Sequence, residues 1–167
     1  MAYAALFNWL GCVPVTTGTG IVTPSERKLE YALEWGVDWW FARGEYLGRL
    51  AQVAAETGFD LRRLKTRFLH SYLGPDIEGH FRRKLEEGWG ARVTEAMGIG
   101  DIGVSLWGEC DRQNGMHLGA RGFVHAELID PDTGTSIPME DGARGELVLS
   151  HLQHRAAPLL RFRTRDH

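Results

Sequence analysis

Helical and strand-like patterns alternate along the first part of the chain, and this order restricts the fold more than any other feature. The helical patterns cover residues 2–10, 25–35, 44–58 and 77–89. The strand patterns cover residues 12–17, 37–42, 66–73 and 92–98. Such alternation is typical of a parallel sheet whose strands are joined by crossover helices. Ligands of these sheets bind beyond the carboxyl ends of the strands. The corresponding loops are 16–24, 42–45, 72–77 and 98–104.

The pattern changes after about residue 105. Residues 123–129 and 145–152 alternate apolar and polar side chains, as strands of an antiparallel sheet do, and 160–163 repeats that alternation with arginines. Asp130–Gly134 is a strong turn signal between the first two of these strands. We therefore predict an α/β fold in two parts. Residues 1–105 form a mostly parallel sheet with crossover helices, and residues 106–167 form an antiparallel β-rich subdomain.

Composition excludes several classes of function. The chain has 167 residues, which suits one domain, and its net charge of −3 provides no electrostatic basis for binding nucleic acid. The apolar segment at the start is far too short to span a membrane. Cys12 and Cys110 are the only cysteines and lie far apart in sequence, so we expect no disulfide framework and a cytoplasmic location.

The segment 127–166, "ELIDPDTGTSIPMEDGARGELVLSHLQHRAAPLLRFRTRD", resembles the phenylacetate–coenzyme A ligases, a branch of the adenylate-forming enzymes. Three stretches match that family's pattern almost letter for letter, with Phe162 in place of a tyrosine: Asp130–Gly134, Gly145–Val148 and Pro158–Asp166. The segment 108–117, "GECDRQNGMH", is also similar to the family. The resemblance covers nearly the whole chain, weakly before residue 70 and strongly after 105.

This resemblance implies a two-step reaction. A carboxylate and ATP would form an acyl-adenylate and pyrophosphate, and coenzyme A would then form the thioester. The implied cofactors are ATP or AMP, Mg²⁺ and coenzyme A. The acid itself cannot be read from the sequence, and an aromatic or aryl-acetic acid is only the family expectation. The implied partners are small molecules, with neither nucleic acid nor a membrane, and a homodimer remains open.

The resemblance also implies a nucleotide site. The aspartate that ends the Arg-Thr-x-Asp motif, here Asp166, accepts hydrogen bonds from the two ribose hydroxyls, and Arg163 belongs to the same motif. A carboxylate suits that role because it offers two acceptor oxygens. The family's adenine loop matches residues 71–76 loosely. Its nucleotide-binding candidates are Tyr72, Gly74 and Pro75, although Gly74 and Pro75 could equally serve only as a turn.

Met97–Asp101, "MGIGD", matches the family's Tyr-Gly-x-Ser/Thr-Glu motif. Gly98 is kept, Gly100 removes the hydroxyl that would meet phosphate, and Asp101 replaces the glutamate. We assign Asp101 the catalytic role of Mg²⁺ ligand, since its carboxylate is a hard oxygen ligand; the alternative is that it only caps a glycine-rich loop. By the same analogy, residues 102–105 form the floor of the acyl pocket. Aromatic residues at 35 and 39–41 could line that pocket, but a core role is more common.

Cys110 and His117 correspond to residues that join two later cysteines around a structural zinc in part of the family. Two ligands alone seldom form a closed Zn²⁺ site, and an isolated Cys110 is more often a small buried residue. The remaining histidines show no spacing that suggests a site: His70, His80, His125, His151 and His154.

Two family elements have no match in the 167 residues: the phosphate-binding loop and the lysine of the C-terminal domain. The stretch "TTGTG" at 16–20 lacks the Lys and Ser/Thr of such a loop. We therefore expect a central fragment of the large N-terminal domain of a ligase, inactive alone, in which Asp166 frays. The alternative is a stand-alone, non-catalytic α/β module that binds a nucleotide or a protein partner.

Overall fold

The computed structural model describes residues 2–18, 21–74, 76 and 78–166. The chain divides into two compact units, residues 1–93 and 94–167, which are called the first and second units below. The division comes before the change of pattern near residue 105. The predicted fold class is confirmed, because the strands described in the first unit pair in parallel and the described strand pairs of the second unit are antiparallel.

The first unit contains four α-helices, one short 3₁₀-helix (Leu61–Arg63) and two parallel strands among its described residues. In chain order the elements are α1 (Ala2–Trp9), α2 (Ser25–Trp35), β1 (Trp39–Arg43), α3 (Gly44–Thr57), β2 (Phe68–Tyr72) and α4 (His80–Trp89). Leu47, Leu50 and Ala54 form one stripe of α3 and are buried, as their helical spacing predicts. Gly58 ends α3 in the left-handed conformation, with φ of 70°. Trp89 of α4 completes the core and donates its indole N–H to the Leu47 carbonyl at 3.2 Å.

The strands of the second unit belong to two sheets and pair antiparallel with one another. Its strands are β3 (Arg92–Ile99, which begins in the first unit), β4 (Gly103–Glu109), β5 (Met116–Leu118), β6 (Val124–Ile129), β7 (Ser136–Ile137), β8 (Glu146–His151) and β9 (Phe162–Arg163). One sheet places β3 beside β4 and β4 beside β5. The other has the order β7-β6-β8-β9. Ile102, Leu106, Val124 and Leu149 form the buried core.

The turn before β7 is built as its sequence predicts. The Asp130 carboxylate accepts hydrogen bonds from the backbone N–H groups of Asp132 at 3.1 Å and Thr133 at 2.7 Å. The Thr133 hydroxyl donates to the same oxygen at 2.9 Å. These donors favour the charged form, so the pKa of Asp130 lies below its ordinary value.

Two local predictions are wrong. The segment 12–17 is not a buried strand: it has no strand assignment, and Val13 and Val15 are exposed. The loop at 98–104 does not lead into a helix but turns between two antiparallel strands. In the described ranges, no helix is both long and apolar enough to cross a membrane.

Candidate functional site

The segment that ends at Asp166 is held along its length by β8. Arg163 pairs with Val148, and the backbone N–H and hydroxyl of Thr164 both donate to the Leu147 carbonyl, at 3.1 and 2.8 Å. Leu147 in turn donates its N–H to the Asp166 carbonyl at 3.0 Å. The Asp166 N–H donates to the Thr164 hydroxyl at 3.1 Å. The Asp166 backbone is therefore fixed rather than frayed, and its side chain is exposed.

Glu146 organises this segment from inside the protein. Its side chain is 1% exposed, and its carboxylate accepts from Arg163 Nε at 3.0 and 3.1 Å and also from Arg163 Nη2. The backbone N–H of Arg165 donates to the same carboxylate at 3.1 Å. A buried carboxylate without such donors would be strongly destabilising, so Glu146 depends on the donors that the motif supplies.

Arg163 is accordingly engaged within the protein. Besides Glu146, its guanidinium donates to the Pro131 carbonyl at 2.7 Å. The hydrogen bond with Glu146 raises the pKa of Arg163 above its already high ordinary value. Arg163 thus fixes the shape of the segment that presents Asp166. Sequence reasoning missed Glu146, although a carboxylate flanked by the apolar residues of a buried strand was a usable signal.

Asp101 lies at the tip of the hairpin between β3 and β4. Ile99 pairs with Gly103, and the Ile102 N–H donates to the Ile99 carbonyl at 2.9 Å, which leaves residues 100–102 as the loop. The Asp101 side chain is exposed. Gly98 lies at an irregularity in the strand register between residues 97 and 99. A Cβ added to Gly100 would meet nothing within 4 Å, so no steric contact requires glycine at that position.

His151, at the end of β8, contacts both the Asp101 loop and the segment that leads to Asp166. Its Nε2 lies 2.8 Å from the Ile102 carbonyl, beside Asp101, and its Nδ1 accepts from the Leu159 N–H at 2.9 Å. The imidazole is buried. Sequence reasoning assigned His151 no role, because its partners Ile102 and Leu159 are not linked to it by any local pattern.

The candidate adenine residues belong to the first unit. Tyr72 is the last residue of β2, and its ring packs edge-on against Phe41 with centroids 6.0 Å apart. Gly74 follows in the left-handed region, with φ of 74°, which favours glycine. Pro75 lies outside the described residues. The Asp76 carboxylate then accepts from Arg82 N–H at 2.9 Å near the start of α4, and this lowers the pKa of Asp76.

The candidate zinc ligands lie within the β4–β5 hairpin. His117 is exposed and pairs with Gly108, while Cys110 is partly buried and follows the end of β4. Among residues 2–18, 21–74, 76 and 78–166, no three or more His, Cys, Asp or Glu side chains converge on a position that could hold a metal ion. The zinc site therefore stays a prediction.

An open groove of about 520 Å³ lies beside the Asp101 loop. Ile102, Gly103 and Ser105 line it, together with Phe123, His151 and His154. Three of these lie in the segment expected to form the floor of the acyl pocket. The aromatic residues that could alternatively line the acyl pocket lie in different environments. Trp40 packs against the core of the first unit, whereas Trp35 is half exposed.

Comparison with solved structures shows which known folds this architecture resembles. The chain superimposes on 2-hydroxyisobutyryl-CoA ligase, solved in an open conformation with 2-HIB-AMP and CoA, with a TM-score of 0.83 and 21% identity. That match covers 96% of this chain and 35% of the ligase chain. A long-chain-fatty-acid-CoA ligase from Archaeoglobus fulgidus matches over 78% of this chain with a TM-score of 0.53. The fold is therefore that of part of an acyl-CoA ligase.

Sequence comparison finds phenylacetate-coenzyme A ligases among the relatives of this chain. Phenylacetate-coenzyme A ligase of Pseudomonas putida is 30% identical over 161 residues, which cover 94% of this chain and 35% of that protein. The Thermus thermophilus enzyme of the same name is 37% identical over 87 residues, covering 51% of this chain and 19% of that protein. No protein-family profile matches the chain. The chain is a relative of the phenylacetate–coenzyme A ligases and spans about a third of the length of the Pseudomonas putida protein.

Proposed function

We propose that the chain forms part of an ATP-dependent carboxylate–CoA ligase, which makes an acyl-adenylate and then a coenzyme A thioester. The match to a phenylacetate-coenzyme A ligase over 94% of the chain is the main support. The ligase of similar fold was solved with an acyl-AMP adduct and CoA, which supports the same classes of ligand here. Cys12 and Cys110 are free thiols, which fits a reducing compartment such as the cytoplasm.

Asp166 binds the ribose of ATP in this proposal. Its exposed carboxylate offers two acceptor oxygens to two adjacent hydroxyls, and its backbone is fixed through Leu147 and Thr164. A fixed backbone lowers the conformational entropy lost when the nucleotide binds. Arg163 contributes indirectly, because its pairing with buried Glu146 shapes the segment before Asp166.

Asp101 contributes one oxygen ligand to Mg²⁺. An exposed carboxylate at a hairpin tip suits this ion, which usually keeps several waters and binds one or two carboxylates together with phosphate oxygens. The residues present therefore fit a nucleotide-borne Mg²⁺ rather than a cage made by the protein. Bound there, Mg²⁺ would offset phosphate charge. Tyr72 and Gly74 are the proposed adenine contacts, and the acid enters the groove beside Ile102.

Binding of AMP to the isolated chain tests the nucleotide site. We expect millimolar binding that shifts the amide resonances of residues 164–166. Each lost hydrogen bond to a charged acceptor costs about 1.5–3 kcal/mol, so Asp166→Ala should weaken AMP binding at least about tenfold. Asp141→Ala is the matched control, since Asp141 is also an exposed aspartate of the same unit. An unchanged affinity in Asp166→Ala would show that Asp166 does not bind ribose.

A non-catalytic nucleotide-binding module is the second candidate. It is favoured by Met97 and Gly100, which replace the aromatic and hydroxyl residues of the family motif. An acyl-sulfamoyl adenosine, which mimics the acyl-adenylate, separates the two candidates. A ligase site should bind it at least about tenfold more tightly than AMP, because enzymes bind analogues of reactive species more strongly than substrates. Equal affinity for the two compounds would support the module.

A further inference from the structure

The hydrogen bonds of His151 define its tautomer. Nδ1 lies 2.9 Å from the Leu159 nitrogen, whose only hydrogen must point at the ring, so Nδ1 accepts and carries no proton. The proton of the neutral ring therefore resides on Nε2, which donates to the Ile102 carbonyl at 2.8 Å. The backbone N–H of His151 also donates to the Leu159 carbonyl at 2.8 Å. One buried residue thus bridges two segments that are 49 and 8 residues away along the chain.

The two segments carry the two proposed nucleotide contacts of the second unit. Ile102 follows Asp101 directly, so its carbonyl sets the position of the hairpin tip. Leu159 is the first residue of the segment that bonds to β8 and ends at Asp166. Because His151 is only 9% exposed, water replaces neither bond easily when one is lost.

We infer that His151 is a positioning residue that couples the Asp101 loop to the ribose-binding segment. The inference rests on the proposed function, which supplies the two ligand contacts. A nucleotide at Asp166 adds a further contact to the already fixed segment 159–166, and this restraint passes through the two imidazole nitrogens to the loop that presents Asp101 to Mg²⁺. Coupling of this kind is reciprocal, so a metal held by the loop would also favour nucleotide binding at Asp166.

Two substitutions separate the two nitrogens. His151→Asn keeps an acceptor near Nδ1 and should preserve the Leu159 bond while losing the Ile102 bond. His151→Gln reaches as far as Nε2 and should preserve the Ile102 bond while losing the Leu159 bond. His125→Ala serves as the control, because His125 is an exposed histidine of the neighbouring strand β6.

Amide hydrogen exchange on the free chain gives the first readout. We expect His151→Asn to raise exchange roughly fivefold to tenfold at residues 100–103 alone, and His151→Gln to do so at 159–162 alone. A purely structural histidine would instead loosen the whole second unit in both variants. Uniform loosening, or no change in either variant, would overturn the inference.

Amide shifts on addition of AMP give the second readout and separate the inference from the function it rests on. In the wild type, AMP should shift residues 164–166 and also residues 100–102. Both His151 variants should keep the first response and lose the second, while His125→Ala keeps both. A response at 100–102 that survives in both variants refutes the coupling. A wild type without any response at 164–166 refutes the proposed ribose site, while the exchange pattern still decides whether His151 positions the two segments.

Discussion

Replacement of Glu146 by glutamine tests how the Asp166 segment is held. The substitution keeps the shape of the side chain but turns one acceptor oxygen into an N–H₂ donor, which faces the donors of Arg163. The position is 1% exposed, so water cannot take over the lost contacts. Removal of one partner of a buried pair costs about 3–5 kcal/mol when both are buried.

The cost should be smaller here because the Arg163 side chain is 48% exposed and recovers water. Glutamine also keeps one acceptor, so the loss amounts to about one charge-assisted hydrogen bond, or about 2–3 kcal/mol. The matched control is Glu127→Gln in β6. Glu127 pairs with Arg161 at 3.3 Å, and its side chain is 22% exposed against 61% for Arg161. A pair of that kind is worth about 0–1 kcal/mol.

Hydrogen exchange at the amides of Leu147 and Thr164 is the appropriate assay, because these N–H groups bond Asp166 and Thr164 to β8. A local change of about 2–3 kcal/mol accelerates their exchange roughly 30- to 150-fold. The same amides should change less than about fivefold in Glu127→Gln. Equal exchange rates in the two variants would show that Glu146 does not organise the segment.

Three further predictions concern the chain as a whole. The 167-residue polypeptide should release no pyrophosphate from ATP with any aromatic acid tested, since neither the phosphate loop nor the C-terminal lysine has a match in it; steady turnover would refute this. Ser71→Ala should stabilise the first unit by about 1 kcal/mol in urea unfolding, because the Ser71 hydroxyl is fully buried without a hydrogen-bond partner among the described residues; a loss of stability would contradict it. The Asp130 carboxylate should stabilise the fold fully above its unfolded pKa of about 3.9 and progressively less as pH falls through its lower folded pKa. The free energies of unfolding of the wild type and Asp130→Ala, measured between pH 6 and pH 2, should therefore converge at the acid end. A difference that stays constant with pH would refute this prediction.

Local sequence determined the elements whose partners lie nearby. The helical stripe of α3 and the Asp130 turn were predictable because a helical face and an Asx turn depend on residues only a few positions apart. The change from helix–strand alternation to paired strands likewise predicted the fold class. The motif at Pro158–Asp166 identified Asp166 as a candidate without any structural information.

Tertiary structure decided how those residues are held. The carboxylate that accepts from Arg163 lies 17 residues before it, and the carbonyl bound by His151 lies 49 residues before it, so no local pattern links either pair. The segment 12–17 is a case in which the local pattern predicts burial that the folded chain does not provide. Its apolar residues predict a buried strand, yet burial needs a neighbouring surface, and in the described part of the chain Val13 and Val15 have none that covers them. Periodicity reports which face a residue occupies, whereas only the folded chain supplies what lies opposite that face.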